Sequence, residues 1–172
     1  MIFALVILAL LVCAAMFRPN WRARRHRLKQ DQARRVLAKI NTIPLMPQRL
    51  AYLRKIDPLA FEELLLEAFE RHGYRVYRNK RYSGDGGVDG AVLRSGVFYL
   101  IQAKRYARYI NQAHVVAFCA LLERRQCKGF FCHTGRTGPT IKALVAGHPR
   151  LSIPSGQRLL DFLDAAHGLR KE

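Results

Sequence analysis

Asp89, Gln102 and Lys104 are the residues of this 172-residue chain whose types and spacing point to chemistry. They stand in two segments, Gly84-Asp85-Gly86-Gly87-Val88-Asp89-Gly90 and Gln102-Ala103-Lys104, separated by the run AVLRSGVFYLI. A carboxylate, an amide oxygen and a backbone carbonyl, here that of Ala103, are the oxygen donors a hard cation takes, and Mg²⁺ keeps several waters beside them. An ammonium two residues beyond the amide can orient or deprotonate a water and stabilise negative charge on phosphorus. Phosphodiester hydrolysis needs this combination, because a cation neutralises the developing charge and acidifies water. Asp89 could equally be a strand-end acid, and a lone Gln-x-Lys is common; only the joint pattern is specific.

The elements that must position these groups can be read from periodicity. Gln102 and Lys104 are two apart in a strand over Val97–Lys104, so they project from one face. The turn Arg94-Ser95-Gly96 folds that strand back on another over Val88–Leu93, which brings Asp89 to the same end of the hairpin. Upstream, Asp57-Pro58 caps a helix that runs to about His72 and stops at Gly73. On its wheel Phe61, Leu64, Leu65, Ala68 and Phe69 form a buried arc, while Glu63, Glu67 and Glu70 fall on the opposite side. Glu62 falls at the edge of the apolar arc, where a carboxyl needs a partner, either a nearby arginine or a metal site. Further strands are expected over Tyr74–Asn79, Lys128–His133 and Leu151–Ile153, and helices over 111–125, 138–147 and 157–166. The order α-β-β-β-α-β-α-β-α implies an α/β domain with a mixed central sheet flanked by helices.

This pattern resembles the PD-(D/E)xK nuclease superfamily and, within it, the Mrr-like restriction endonuclease group, over about residues 57–165. The resemblance rests on Phe61-Glu62, Gly73-Tyr74, the Gly84–Gly90 loop, Gln102-Ala103-Lys104 and the Thr134-Gly135 to Thr137 loop. Gln102 replaces the acid usual in the superfamily, as is typical of the Mrr-like group. The resemblance implies a restriction-endonuclease-like α-β-β-β-α-β core and a Mg²⁺-dependent endodeoxyribonuclease, with Mn²⁺ able to substitute. It implies Glu62, Asp89, Gln102 and Lys104 as catalytic. The metal would be held by Asp89, Gln102 and the Ala103 carbonyl, with Glu62 joining directly or through water. The rival reading is a non-catalytic nucleic-acid-binding module on the same fold, which has no need of the full set.

Next to the site, Lys104-Arg105-Tyr106-Ala107-Arg108-Tyr109 interleaves cations and aromatics, which suits phosphate contact by Arg105, Tyr106 and Arg108, although a solvated loop would read the same. His114 opens the next helix as a surface or capping residue. Asp85 is a turn residue or a support at the edge of the metal site. Gly84, Gly86 and Gly87 do not match a phosphate-binding loop or dinucleotide fingerprint, so no nucleotide cofactor is expected. Cys127, Cys132 and His133 lack a second ligand pair and read as buried structural residues rather than a zinc site.

The formal charge of +18 divides in two. Residues 18–49 hold ten Lys/Arg and one acid, giving +9, and residues 50–172 hold twenty bases and eleven acids, giving another +9. The first block follows Met1–Phe17, an uncharged apolar stretch at the lower length limit for a membrane-spanning helix, with Trp21 as interfacial aromatic. Positive charge after the apolar run argues against a cleaved signal and places the following chain in the cytoplasm. The expected organisation is a transmembrane anchor over 1–17, a basic juxtamembrane helix and proline-containing linker over 18–50, and the nuclease domain over 51–172. The expectation is a single-pass inner-membrane protein with the nuclease domain in the cytoplasm, whose partners are the membrane, DNA and, since cutting both strands usually takes two active sites, a possible second copy of the chain.

Overall fold

The computed structural model describes residues 21–79 and 87–164. The helix capped by Asp57 (α3, Pro58–Arg71) is preceded by two others, α1 (Trp21–Ile40) and α2 (Met46–Lys55). Its Asp57 Oδ1 accepts the Ala60 N–H at 3.1 Å, and Pro58 occupies the first turn, where no amide donor is required. Strand β1 (Arg75–Arg78) follows, then the hairpin β2 (Gly90–Arg94) and β3 (Val97–Lys104), helix α4 (Gln112–Arg124), strand β4 (Lys128–His133), helix α5 (Pro139–Ala146), strand β5 (Leu151–Ser152) and helix α6 (Gly156–Leu163).

The five strands form one sheet in the order β1-β2-β3-β4-β5. Strand β2 runs antiparallel to both its neighbours, β1 and β3, and β3, β4 and β5 run parallel. The mixed α/β architecture expected from the alternation is therefore present. One face of the sheet is covered by α1, α2, α3 and α6 through Leu37, Ile40, Leu53, Phe61, Leu65, Phe69, Phe130 and Phe162. The other face carries α4 and α5 through Leu100, Phe118, Leu122, Phe131 and Ile141.

Two differences lie N-terminal to α3. Pro44 and Pro47 suggest a linker over residues 41–48, but Pro47 sits in the first turn of α2, where it starts a helix instead of breaking one. The basic helix α1 is docked by its apolar side: Ala33, Val36, Leu37 and Ile40 are at most 4% exposed. Its polar side chains reach α3 as well, with Lys29 Nζ 3.1 Å from Asp57 and Arg34 Nε 3.6 Å from Glu67. The placement of Glu63 on the solvent side of α3 is consequently corrected. Glu63 is 1% exposed, and His26 and Arg78 contact it at 3.4 and 3.1 Å, because α1 and β1 cover that flank of the helix.

Met1–Phe17, the expected anchor, and Asp85 lie outside the described residues. Among the described residues no helix is long and apolar enough to cross a membrane.

Candidate active site

The β2–β3 hairpin does the positioning. Gly90 pairs with Ile101 at the end of the ladder, which brings Asp89 alongside residues 101–103 of β3. Beyond the last ladder pair the regular register stops, because Asp89 N–H donates to Ile101 O at 2.8 Å, while Ala103 N–H donates to Asp89 Oδ2 at 2.7 Å. One carboxylate oxygen is thus fixed against β3. The Ala103 N–H and C=O point to the same edge of the strand, which aims the Ala103 carbonyl towards the same end of β2.

Gln102 is 7% exposed and its Oε1 has no hydrogen-bond partner. A buried, unpartnered acceptor costs free energy, so this oxygen is either strained or awaits a ligand. Gly87 holds the other end of the amide. A Cβ there would stand 3.0 Å from Gln102 Nε2, and its φ of +87° lies in the region that favours glycine. Asn79 Nδ2 donates to Val88 O at 2.6 Å and braces the chain entering β2.

Glu62 arrives from the second turn of α3. Burial raises its pKa, the charge of Asp89 adds to the rise and Lys104 opposes it, leaving the carboxyl at about 8. Asp89 is also pushed up by burial, against the Ala103 N–H and the Lys104 charge that lower it. These mutual effects place Glu62, Asp89 and Lys104 within one electrostatic neighbourhood. Two desolvated carboxyls, one orphaned amide oxygen and an adjacent ammonium form an oxygen-rich set short of one positive charge. Among the described residues no group of three His, Cys, Asp or Glu side chains could hold a metal. A cation here would therefore depend on the Gln102 amide and the Ala103 carbonyl as well as the carboxylates, and such a donor set fits Mg²⁺ or Mn²⁺ rather than a softer metal. Cys132, paired with Ala103 in the ladder and fully buried, is a thiol whose pKa burial and Asp89 raise beyond reach.

The basic loop beyond β3 is less open than its composition suggests. Arg105 Nη1 donates to Arg54 O at 3.0 Å and also to Ile56 O, at the end of α2. Tyr106 N–H donates to Thr134 Oγ1 at 3.1 Å, and the Tyr106 hydroxyl lies 2.6 Å from His114 Nδ1. Arg108 is exposed, with its carbonyl accepting the Arg136 N–H at 2.9 Å. His133 is fully buried, and burial lowers its pKa to about 4. Its Nδ1 accepts the Gly135 N–H at 3.1 Å, so Nε2 carries the proton and faces Thr137 Oγ1, also at 3.1 Å.

A family model described as a restriction endonuclease, the Mrr catalytic domain, matches residues 53–163. The chain belongs to the Mrr-like restriction endonuclease family. Among solved structures, this Mrr-like chain is similar to the MspJI restriction endonuclease in complex with a 27-mer oligonucleotide, with a TM-score of 0.54 and 24% sequence identity. The likeness covers 72% of this chain and 31% of that one, so this chain spans about a third of the neighbour's length, and at that identity it speaks for the fold alone. A search of curated proteins returns no match. The matched region contains Glu62, Asp89, Gln102 and Lys104, but begins after α1 and most of α2, which complete the core on the α3 face.

Proposed function

We propose that this chain is a divalent-cation-dependent DNA endonuclease, tethered to the inner membrane by Met1–Phe17 with its catalytic domain in the cytoplasm. The observation that carries the reading is the buried, unpartnered Gln102 Oε1 one residue before Ala103, whose N–H already fixes the Asp89 carboxylate. A cation of the Mg²⁺ type, held by Asp89, Gln102 and the Ala103 carbonyl with Glu62 at its edge, would supply charge neutralisation and an acidified water. The rest falls to the protein. Lys104, on the same face as Gln102, directs a water towards phosphorus and stabilises charge on the non-bridging oxygens. Asp89 keeps a fixed orientation because Oδ2 accepts the Ala103 N–H, which leaves its second oxygen for the cation. Exposed Arg108 and the Tyr106–His114 pair border the strand end and contact the phosphate backbone, while Arg105 braces that loop from within. Asp85 is proposed to support the loop that leads to Asp89. Cutting both strands would need a second copy of the chain.

The test is nicking of supercoiled plasmid by the full chain in detergent with Mg²⁺ or Mn²⁺, beside Asp89→Ala and Lys104→Ala. The expectation is cleavage by wild type and loss of at least about a hundredfold in either variant. A wild-type protein that binds DNA of every type offered, modified or not, but never nicks it would instead establish a binding module on a nuclease fold.

A further inference from the structure

Lys104 is the last residue of β3, where a lysine would be free to wander if the following chain were loose. It is not loose. Thr134, directly after β4 and 0% exposed, donates its N–H to Lys104 O at 3.3 Å. Its hydroxyl closes on Tyr106 from both directions, accepting the Tyr106 N–H and donating to Tyr106 O, each at 3.1 Å. Thr134 in turn is held from α2. Arg54 donates Nη2 and Nε to Thr134 O at 2.7 and 3.2 Å, a two-pronged contact that a lysine could not reproduce. The link is reciprocal, since Arg105, the residue after Lys104, donates to the carbonyls of Arg54 and Ile56. Gly135 completes the packing: a Cβ there would stand 2.5 Å from Arg108 O. Residues 104–106 are therefore fixed to α2 and to the loop after β4 by partly buried hydrogen bonds that do not involve the carboxylates.

We infer that Arg54 and Thr134 are positioning residues for Lys104, so that α2 takes part in the chemistry through a clamp on the catalytic lysine's backbone. The inference rests on the nuclease reading and goes beyond it by adding two residues that contact no substrate. Holding a reacting group in register is worth much in rate and little in binding, and a displacement of about 1 Å can cost roughly a hundredfold.

The test is steady-state cleavage of a DNA substrate by the full chain, with rates expressed per folded molecule from circular dichroism. Thr134→Val keeps the shape and removes the hydroxyl, Thr134→Ser restores it, and Arg54→Lys keeps the charge but removes the fork. The expected result for Thr134→Val is a kcat lower by at least about tenfold with KM within about twofold. Thr134→Ser should return close to wild type, and Arg54→Lys should show the Val signature in weaker form. If Thr134→Val does not fold, Arg54→Lys decides. Variants with wild-type kcat per folded molecule, or with a raised KM alone, would overturn the inference while the nuclease reading stands. A wild-type chain that cleaves nothing would overturn both.

Discussion

Glu62 shows how a single carboxyl at the site links folding, protons and metal. Its folded pKa of about 8 exceeds the ordinary 4.5 because it is buried beside Asp89. In metal-free protein it therefore holds a proton in the folded state that it releases on unfolding. A raised folded pKa contributes stability that is present below the unfolded value and is lost as pH rises through the folded value. His133, whose pKa is lowered from 6.5, weakens folding only when pH falls below 6.5, and the cysteines titrate from 9.0 upward. Between about 6.5 and 8 the descent in stability thus belongs to the buried carboxyl pair, Glu62 with Asp89, whose pKa burial also raises. Denaturant midpoints measured in chelator should fall across that window, and Glu62→Gln should flatten the fall. Added Mg²⁺ should stabilise wild type more at pH 8 than at 6.5, because the cation displaces the proton. The sequence revealed Glu62, Asp89, Gln102 and Lys104 because strand spacing and helix phase depend only on neighbours along the chain. The loop from Thr134 was legible as part of the resemblance but not its link to Arg54, which meets it across 80 residues through a backbone carbonyl that carries no sequence signal.

At the scale of elements, helix α1 changes what the catalytic domain is. Its buried residues Ala33, Val36, Leu37 and Ile40 follow an i, i+3, i+4, i+7 pattern that the sequence did contain. Nine cations between residues 18 and 39 overshadowed it and made the segment read as a solvated juxtamembrane helix. Glu63 was misplaced for the same reason, since a helical wheel shows one apolar arc and cannot show a second helix covering the other side. From α3 onward the elements were legible because the helices repeat, β1 alternates, and β3 and β4 are short apolar runs bounded by turn residues. α2 was not, because a proline can begin a helix as well as end one. Leu37→Ala should destabilise the fold by about 2–4 kcal/mol, and a fragment starting at residue 48 should melt at lower temperature than one starting at 18. Equal melting temperatures for the two fragments would show that α1 docks without stabilising the domain.

For the whole molecule, the charge of +18 divides between two regions of the chain. The basic block from 18 to 49 faces the membrane in the proposed topology, although part of it, Lys29 and Arg34, pairs with Asp57 and Glu67 on α3. The remaining +9 belongs to a domain whose few acids include Glu62 and Asp89 at the site and Glu63 buried beneath α1. Phosphate contact by such a domain releases counterions, so DNA affinity measured by fluorescence anisotropy should fall steeply and linearly on a log–log plot against salt. A flat dependence would remove the backbone-recognition role given to Arg108 and its neighbours. Cell fractionation should find the full chain in the membrane pellet and a chain lacking residues 1–17 in the soluble fraction; a full chain that is entirely soluble would remove the anchor.

Everything proposed for the site depends on a cation meeting Gln102 Oε1 and Asp89. The most direct measurement is anomalous diffraction from crystals of the protein soaked in Mn²⁺. A single strong peak bordered by Asp89, the Gln102 amide oxygen and the Ala103 carbonyl, and absent in Asp89→Ala, is the predicted result. Mn²⁺ bound elsewhere, with the Gln102 oxygen still unpartnered, would contradict the account.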